Sequence, residues 1–285
     1  MEVYLDYLSL RYATRLLFLP TYHTLGPPYD QQNIHASLPG LHRLYSLSKH
    51  LVLGNLEDRT STTTMEGVAT TASPNPDKTT KPRQLHEKWI QTLPDHTITI
   101  YTDSSKLANG AVGCGWAIYY SGDQQLHQFT EGRCHFGNRA EVFDAELHAI
   151  QEAVSTLLTT TLPRSTVFIC IDNQASIDTL QFKRGNHEYS RRALEIIGKL
   201  QLQGWHITTR WCPSHCGIRG NEQADTLATL GASSTIPYQF AVTTKTWLLT
   251  QVRLEFLARW KNELPLANPS FNFPSHLCGV DWADT

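Results

Sequence analysis

The chain has 285 residues, of which 40% are hydrophobic and 18% charged, with 24 Lys+Arg against 26 Asp+Glu. This composition supplies a core and excludes a wholly disordered, collagen-like or coiled-coil chain. The near-neutral balance excludes a histone-like basic protein but not a nucleic-acid enzyme with a local basic patch. Six cysteines are too few for a disulfide scaffold at this length and fit a reducing compartment. The most apolar N-terminal run, Leu16 to Leu19, is far short of the roughly 18 residues of a membrane span. Arg11 and Arg15 interrupt the region a signal-peptide core would need. The expectation is therefore an intracellular protein, nuclear or cytoplasmic, with no membrane contact.

Residues 4–19 carry apolar and basic residues at mixed helical spacing until Pro20, and 1–59 are read as a short helical segment without an independent core. Residues 60–83 contain eight Thr and three Pro and read as a disordered linker. From residue 97 the texture changes. Ile98 to Tyr101 alternates and is β-rich. Residues 111–120 make a second strand whose glycines suggest a bend or close backbone approach, and 124–130 a third. Asn138 opens a long helical run in which Phe143, Leu147, Ile150, Val154 and Leu158 form one stripe, with Ala145, Ala149 and Ala153 as a small-residue ridge beside it.

The continuous apolar run 166–171 predicts a central buried strand. Short helices follow over 173–180 and 188–203, and a fifth strand over Trp205 to Trp211. Asn221 is placed to cap a last helix reaching about Leu230. The order β-β-β-α-β-α-α-β-α predicts an α/β domain over 97–232, a five-stranded mixed sheet flanked by helices. Residues 233–285 are read as a further helix near 246–261 and a tail.

Four carboxylates stand where packing does not ask for charge. Asp103 follows the first strand and Asp172 ends the apolar one. If those strands are parallel neighbours, both emerge at carboxyl ends, where open α/β sheets form their sites. Glu146 lies between the two packed ridges of the long helix, and Asp225 lies near the packed side of the last one. Each has a bland reading as a turn, surface or helix-dipole residue. Converging together, they repel unless a cation is present. A set of hard oxygen donors suits Mg²⁺ or Mn²⁺, and two such ions about 3.5–4 Å apart serve in-line phosphoryl displacement.

The segments around these residues resemble, in order, the four motifs of type 1 ribonuclease H. Pro213-Ser214-His215-Cys216-Gly217-Ile218-Arg219-Gly220-Asn221-Glu222-Gln223-Ala224-Asp225 is a dense match to that family's closing motif. Asp144-Ala145-Glu146-Leu147 and Asp172-Asn173-Gln174-Ala175 are similar to the versions in fungal non-LTR retrotransposon polyproteins. More weakly, Arg11 to His23 resembles the connector that precedes this domain there. The resemblance implies a ribonuclease H-like fold and hydrolysis of the RNA strand of RNA–DNA hybrids with two Mg²⁺ ions. It makes Asp103, Glu146, Asp172 and Asp225 the metal ligands and gives His215 a role in proton transfer or product release.

The family usually has glycine after its first aspartate, and this chain has Ser104. If that backbone needs a left-handed φ, serine strains it, and the rival reading is a catalytically impaired, hybrid-binding remnant of a retrotransposon. No Asp-Asp pair occurs, so the paired-aspartate signature of a reverse transcriptase is absent, and the chain reads as a free-standing or truncated copy. Ser105 and Gln174, beside the aspartates, are candidates for sugar or phosphate contacts, with Lys183 and Arg184 as a basic cluster. Arg191 and Arg192 are a second cluster, equally readable as a solvated helix face. Hybrid recognition would run through 2′-hydroxyls and phosphates rather than base sequence. No protein partner is implied.

Overall fold

A computed structural model describes residues 11, 55–56, 69–71, 82–160, 162–182, 187–234 and 242–263. The chain divides into two compact units, Met1–Thr62 with Val242–Thr285, and Thr63–Ala241. In the first, strand β1 (Asn55–Leu56) pairs in parallel with β8 (Val242–Thr243). Helix α6 (Lys245–Glu263) follows, opened by Thr244, whose hydroxyl accepts the Trp247 N–H at 3.2 Å. Trp247, Leu248, Val252 and Phe256 are its buried residues. Of the helical segment expected before residue 55 only Arg11 is described, as helical; the rest of that segment and the tail beyond 263 lie outside the described residues.

The second unit is built on a sheet in the order β2-β7-β6-β3-β4-β5, formed by β2 (Ala69–Thr71), β3 (Ile98–Lys106), β4 (Val112–Gly122), β5 (Gln125–Gly137), β6 (Thr166–Ile171) and β7 (His206–Trp211). β3, β4 and β5 are antiparallel neighbours, while β6 is parallel to both β3 and β7. This is the expected five-stranded mixed sheet with one short addition. Ala69–Thr71, inside the segment expected as a linker, extends the edge in parallel beside β7. A short Thr-containing run gains backbone pairing from an edge that its composition does not announce.

Among the described residues five helices flank the sheet: α1 (Pro82–Gln91), α2 (Val142–Leu158), α3 (Gln174–Phe182), α4 (Glu188–Leu202) and α5 (Arg219–Ala232). α2 starts later than the expected Asn138. Its capping box joins Glu141 and Asp144, and the Glu141 N–H donates to Asp144 Oδ2 at 2.8 Å. The alanine ridge Ala145, Ala149 and Ala153 is fully buried with Leu147, Ile150 and Val154, whereas Leu158 is exposed. Trp205 is buried and Trp211 packs against the same core.

α5 lies on the other sheet face, very close to β4. A Cβ at Gly113 would come within 2.0 Å of the Ala232 nitrogen, and one at Gly115 within 2.5 Å of the Ala224 oxygen. These glycines are the close backbone approach that the second strand foreshadows. The rest of that face is covered by α1, which the sequence reading left without a structure. Trp89 meets Phe168 edge-on at 5.2 Å and lies under the Arg210 guanidinium at 4.1 Å, while His86 is bonded to the Tyr101 hydroxyl at 2.8 Å.

Candidate active site

The pairing of β3 with β6 runs from Ile98–Val167 to Tyr101–Cys170 and then stops, while β3 continues to Lys106. Asp103 lies two residues beyond that last pair, and Asp172 lies two residues beyond its partner Cys170. The condition for both carboxylates to emerge together, parallel adjacent strands, is met. Asp103 sits within β3 rather than after it, because β4 keeps pairing with β3 past the point where β6 ends.

The pleat explains how a third carboxylate joins them. Asp103 and Ser105 oppose Gly115 and Gly113, which face α5. Thr102 and Ser104 therefore point to the opposite face, toward α2. There the Thr102 hydroxyl donates to Glu146 Oε1 at 3.0 Å, and Ser104 comes within hydrogen-bonding reach of the same carboxyl. Where β6 no longer shields one face from the other, side chains of both faces meet. Asp103, Glu146 and Asp172 each offer an oxygen, and these atoms lie within 4.8 Å of one another.

Burial sets the electrostatics. Glu146 is 1% exposed and Asp103 8%. Desolvation, then repulsion from Asp103 and Asp172, pushes Glu146 up to about 8, against the pull of Thr102 and Ser104. Desolvation and Asp172 push Asp103 up to about 7, partly offset by the Ser104 N–H, which donates to Asp103 Oδ1 at 2.7 Å. Asp172 is raised mainly by desolvation and drawn back by the side chain of Asn221 and by His215. Three carboxyls held at this separation resist ionising together, and a divalent cation relieves both their desolvation and their repulsion. The donor set, all carboxylate oxygen, fits a hard ion such as Mg²⁺ or Mn²⁺.

Asp225, on α5, is half-buried and lies outside the group of three, although its charge raises both Asp103 and Asp172. His215 is 75% exposed on the loop between β7 and α5, with Nδ1 4.0 Å from Asp225 Oδ2. That loop turns through left-handed backbone at His215 (φ 49) and Gly217 (φ 74). Arg83 of α1 lies against it: a Cβ at Gly217 would sit 3.2 Å from the guanidinium. Ser105 is half-buried, and its Oγ is 3.2 Å from the Thr229 hydroxyl of α5. Gln174 is exposed and donates to Asp178 at 2.8 Å. Lys183 and Arg184 lie outside the described residues. Arg191 and Arg192 both pair with the buried Glu188, at 2.6 and 2.7 Å, and Arg191 also pairs with Glu195. Their charges serve the helix first.

Two expectations change. Asn221 is not the cap of α5. Ile218 occupies that position, and Asn221 is buried inside the first turns, 1% exposed and facing Asp172. Asn173, in contrast, caps α3, its Oδ1 accepting the Ala175 N–H at 2.9 Å. Ser104 is not strained: it lies in β3 and is not among the described non-glycine residues with left-handed φ. Thr102, Ser104 and Asn221 are the site residues that sequence reasoning missed. Polar residues beside a carboxylate, on a strand whose pleat alternates between two packed helices, are the signal for the first two.

A mixed sheet bearing a buried carboxylate cluster past the end of its central parallel pair defines the class: a catalytic α/β domain with an acidic metal-binding site, consistent with nuclease activity. Residues 95–233 match the RNase H family, and this part of the chain is an RNase H-like domain. Among solved structures, LC9-RNase H1, a type 1 RNase H with the type 2 active-site motif, is 20% identical, with 49% of this chain and 74% of that chain covered and a TM-score of 0.41. RNase H1 from the halophilic archaeon Halobacterium salinarum NRC-1 is 25% identical, covering 47% and 96%, with a TM-score of 0.37. LC11-RNase H1, solved with an RNA/DNA hybrid, is 18% identical, covering 48% and 99%, with a TM-score of 0.38. No curated protein matches the chain. Among the described residues no helix is long and apolar enough to cross a membrane.

Proposed function

We propose that residues 95–233 hydrolyse the RNA strand of RNA–DNA hybrids, with Asp103, Glu146 and Asp172 holding divalent metal and Asp225 completing a two-ion Mg²⁺ site. The observation that carries this reading is the convergence of three buried carboxylates, from three separate elements, to within 4.8 Å. Bound metal would supply Lewis-acid stabilisation of charge at the attacked phosphate and lower the pKa of the attacking water. The chain's own groups do the rest. Thr102 and Ser104 fix the orientation of Glu146, and Asn221 that of Asp172. His215, on an exposed loop within reach of Asp225, is placed to take or deliver a proton at the edge of the site. Ser105 and Gln174, together with Lys183 and Arg184, are proposed contacts to the substrate backbone. The versions of the second and third motifs, Asp144 to Leu147 and Asp172 to Ala175, support an origin in a fungal non-LTR retrotransposon polyprotein.

The test is incubation of an end-labelled RNA–DNA duplex with the full chain and Mg²⁺. RNA-strand cleavage that EDTA and Asp172→Asn both abolish supports the reading. Binding of the duplex without cleavage by the wild-type chain overturns it in favour of a non-catalytic module.

A further inference from the structure

The sheet holds a second group of reactive side chains that the carboxylate chemistry leaves unused. Cys114 on β4 and Cys134 on β5 stand directly opposite one another across the antiparallel ladder. Either kind of antiparallel pair holds its Cα atoms about 4.5–5.5 Å apart, inside the range a disulfide spans. Gly113 and Gly115 face α5, so Cys114 projects toward α2, where it is fully buried in the main core. Neither cysteine is in a disulfide.

The pair is asymmetric. Cys134 is half-buried, and the nearby Cys114 and then His148 of α2 pull its thiol below the ordinary range, against burial and Glu152. Burial, Cys134 and Glu146 push Cys114 well up. One residue of the pair is thus partly exposed and the other fully buried. The other neighbouring cysteines, Cys170 and Cys212, lack this arrangement: both are fully buried, and burial raises both thiols.

We propose that Cys114 and Cys134 form a thiol–disulfide exchange site that takes a small disulfide of the glutathione class. The Cys134 thiolate attacks one sulfur of glutathione disulfide, whose S–S bond breaks to release one glutathione thiolate, which takes up a proton. Cys114 then loses its proton and attacks the Cys134 sulfur, expelling the second glutathione as a thiol. Two cysteine thiols are oxidised, one glutathione disulfide is reduced, and β4 is stapled to β5 beneath the helix that carries Glu146. Such a pair belongs in a reducing compartment, where disulfides are transient and redox-sensing.

The full chain is equilibrated across a series of reduced-to-oxidised glutathione ratios. Remaining thiols are then alkylated in denaturant, and the peptides are mapped by mass spectrometry. The expected result is a linked peptide pair joining Cys114 to Cys134, rising with oxidation and lost with dithiothreitol. Cys114→Ala holds Cys134 as a glutathione adduct, and Cys134→Ala leaves Cys114 a thiol. Recovery of Cys114 as an alkylated thiol at the most oxidising ratio overturns the proposal, as does preferential linkage of either cysteine to a third. The readout does not depend on nuclease activity, so its failure is separate from failure of the reading above.

Discussion

The ring of Tyr101 packs closely against Gly220: a Cβ at position 220 would sit 2.3 Å from ring carbons Cδ2 and Cε2. Tyr101 precedes Asp103 by two residues on β3, and Gly220 precedes Asn221 on α5. The contact therefore sets the distance between β3, which carries Asp103, and α5, which carries Asn221 and Asp225. The ring has nowhere to move, being 1% exposed with its hydroxyl bonded to His86 at 2.8 Å.

Gly220→Ala is expected to cost about 1–3 kcal/mol by overpacking, read as a lower urea midpoint at unchanged slope. It also displaces Asn221 from Asp172, so cleavage falls further than the loss of folded protein explains. Cleavage that simply tracks the folded fraction would show that the α5 spacing does not matter to the chemistry.

Asp103 and Glu146 are pushed up to about 7 and about 8. In the unfolded chain both release their protons near the ordinary carboxyl value of about 4. As pH rises the unfolded chain ionises first, so their neutral forms favour the metal-free fold at low pH and that contribution is lost as pH climbs to about 8. The metal-free melting temperature is expected to fall between about pH 5 and about pH 9, and Mg²⁺ to recover most of the loss. Glu146→Gln should raise the metal-free melting temperature near pH 8 while abolishing cleavage. Calorimetry with and without EDTA checks all three outcomes.

Ser104 stands where glycine is usual in the resembling family, yet it lies in unstrained strand and reaches Glu146. Ser104→Gly and Ser104→Ala are both expected to weaken Mg²⁺ binding, by the roughly five-fold that about 1 kcal/mol of hydrogen bonding represents. Isothermal titration measures it. Tighter binding by the glycine variant would show that the hydroxyl is a burden rather than a support.

Helix α1 is held by Trp89 against Phe168 and Arg210 and by buried His86, which burial and then Arg210 push down to about 4. The unfolded histidine binds its proton near the ordinary value of about 6.5. The contribution of His86 is therefore present above that pH and lost on acidification toward about 4. Trp89→Ala is expected to cost about 2 kcal/mol, less than a fully buried tryptophan. Hydrogen exchange over 82–91 should accelerate in that variant at neutral pH and in the wild type near pH 5. Because Arg83 lies against Gly217, the His215 loop should gain exchange in step with α1.

The order of strands and helices from 97 to 232 was legible in the residues because it rests on local periodicity, two for strands and 3.6 for helices. The carboxylates stood out because charge beside packed ridges has no local reason to be there. The exchange of Asn221 for Ile218 at the head of α5 was not legible, since a capping residue and a buried hydrogen-bonding residue share one chemistry and differ only in what faces them. Nor was the docking of α1, whose short polar sequence becomes half of a core only when Phe168, Tyr101 and Arg210 are brought beneath it.

The sequence by itself determined which groups this protein has for chemistry and which elements carry them. Only the tertiary structure decided that the pairing of β6 with β3 ends two residues short of Asp103, so that groups from both faces of one sheet share a single site. That depends on how far two distant strands pair, a property of their joint register that neither strand encodes alone.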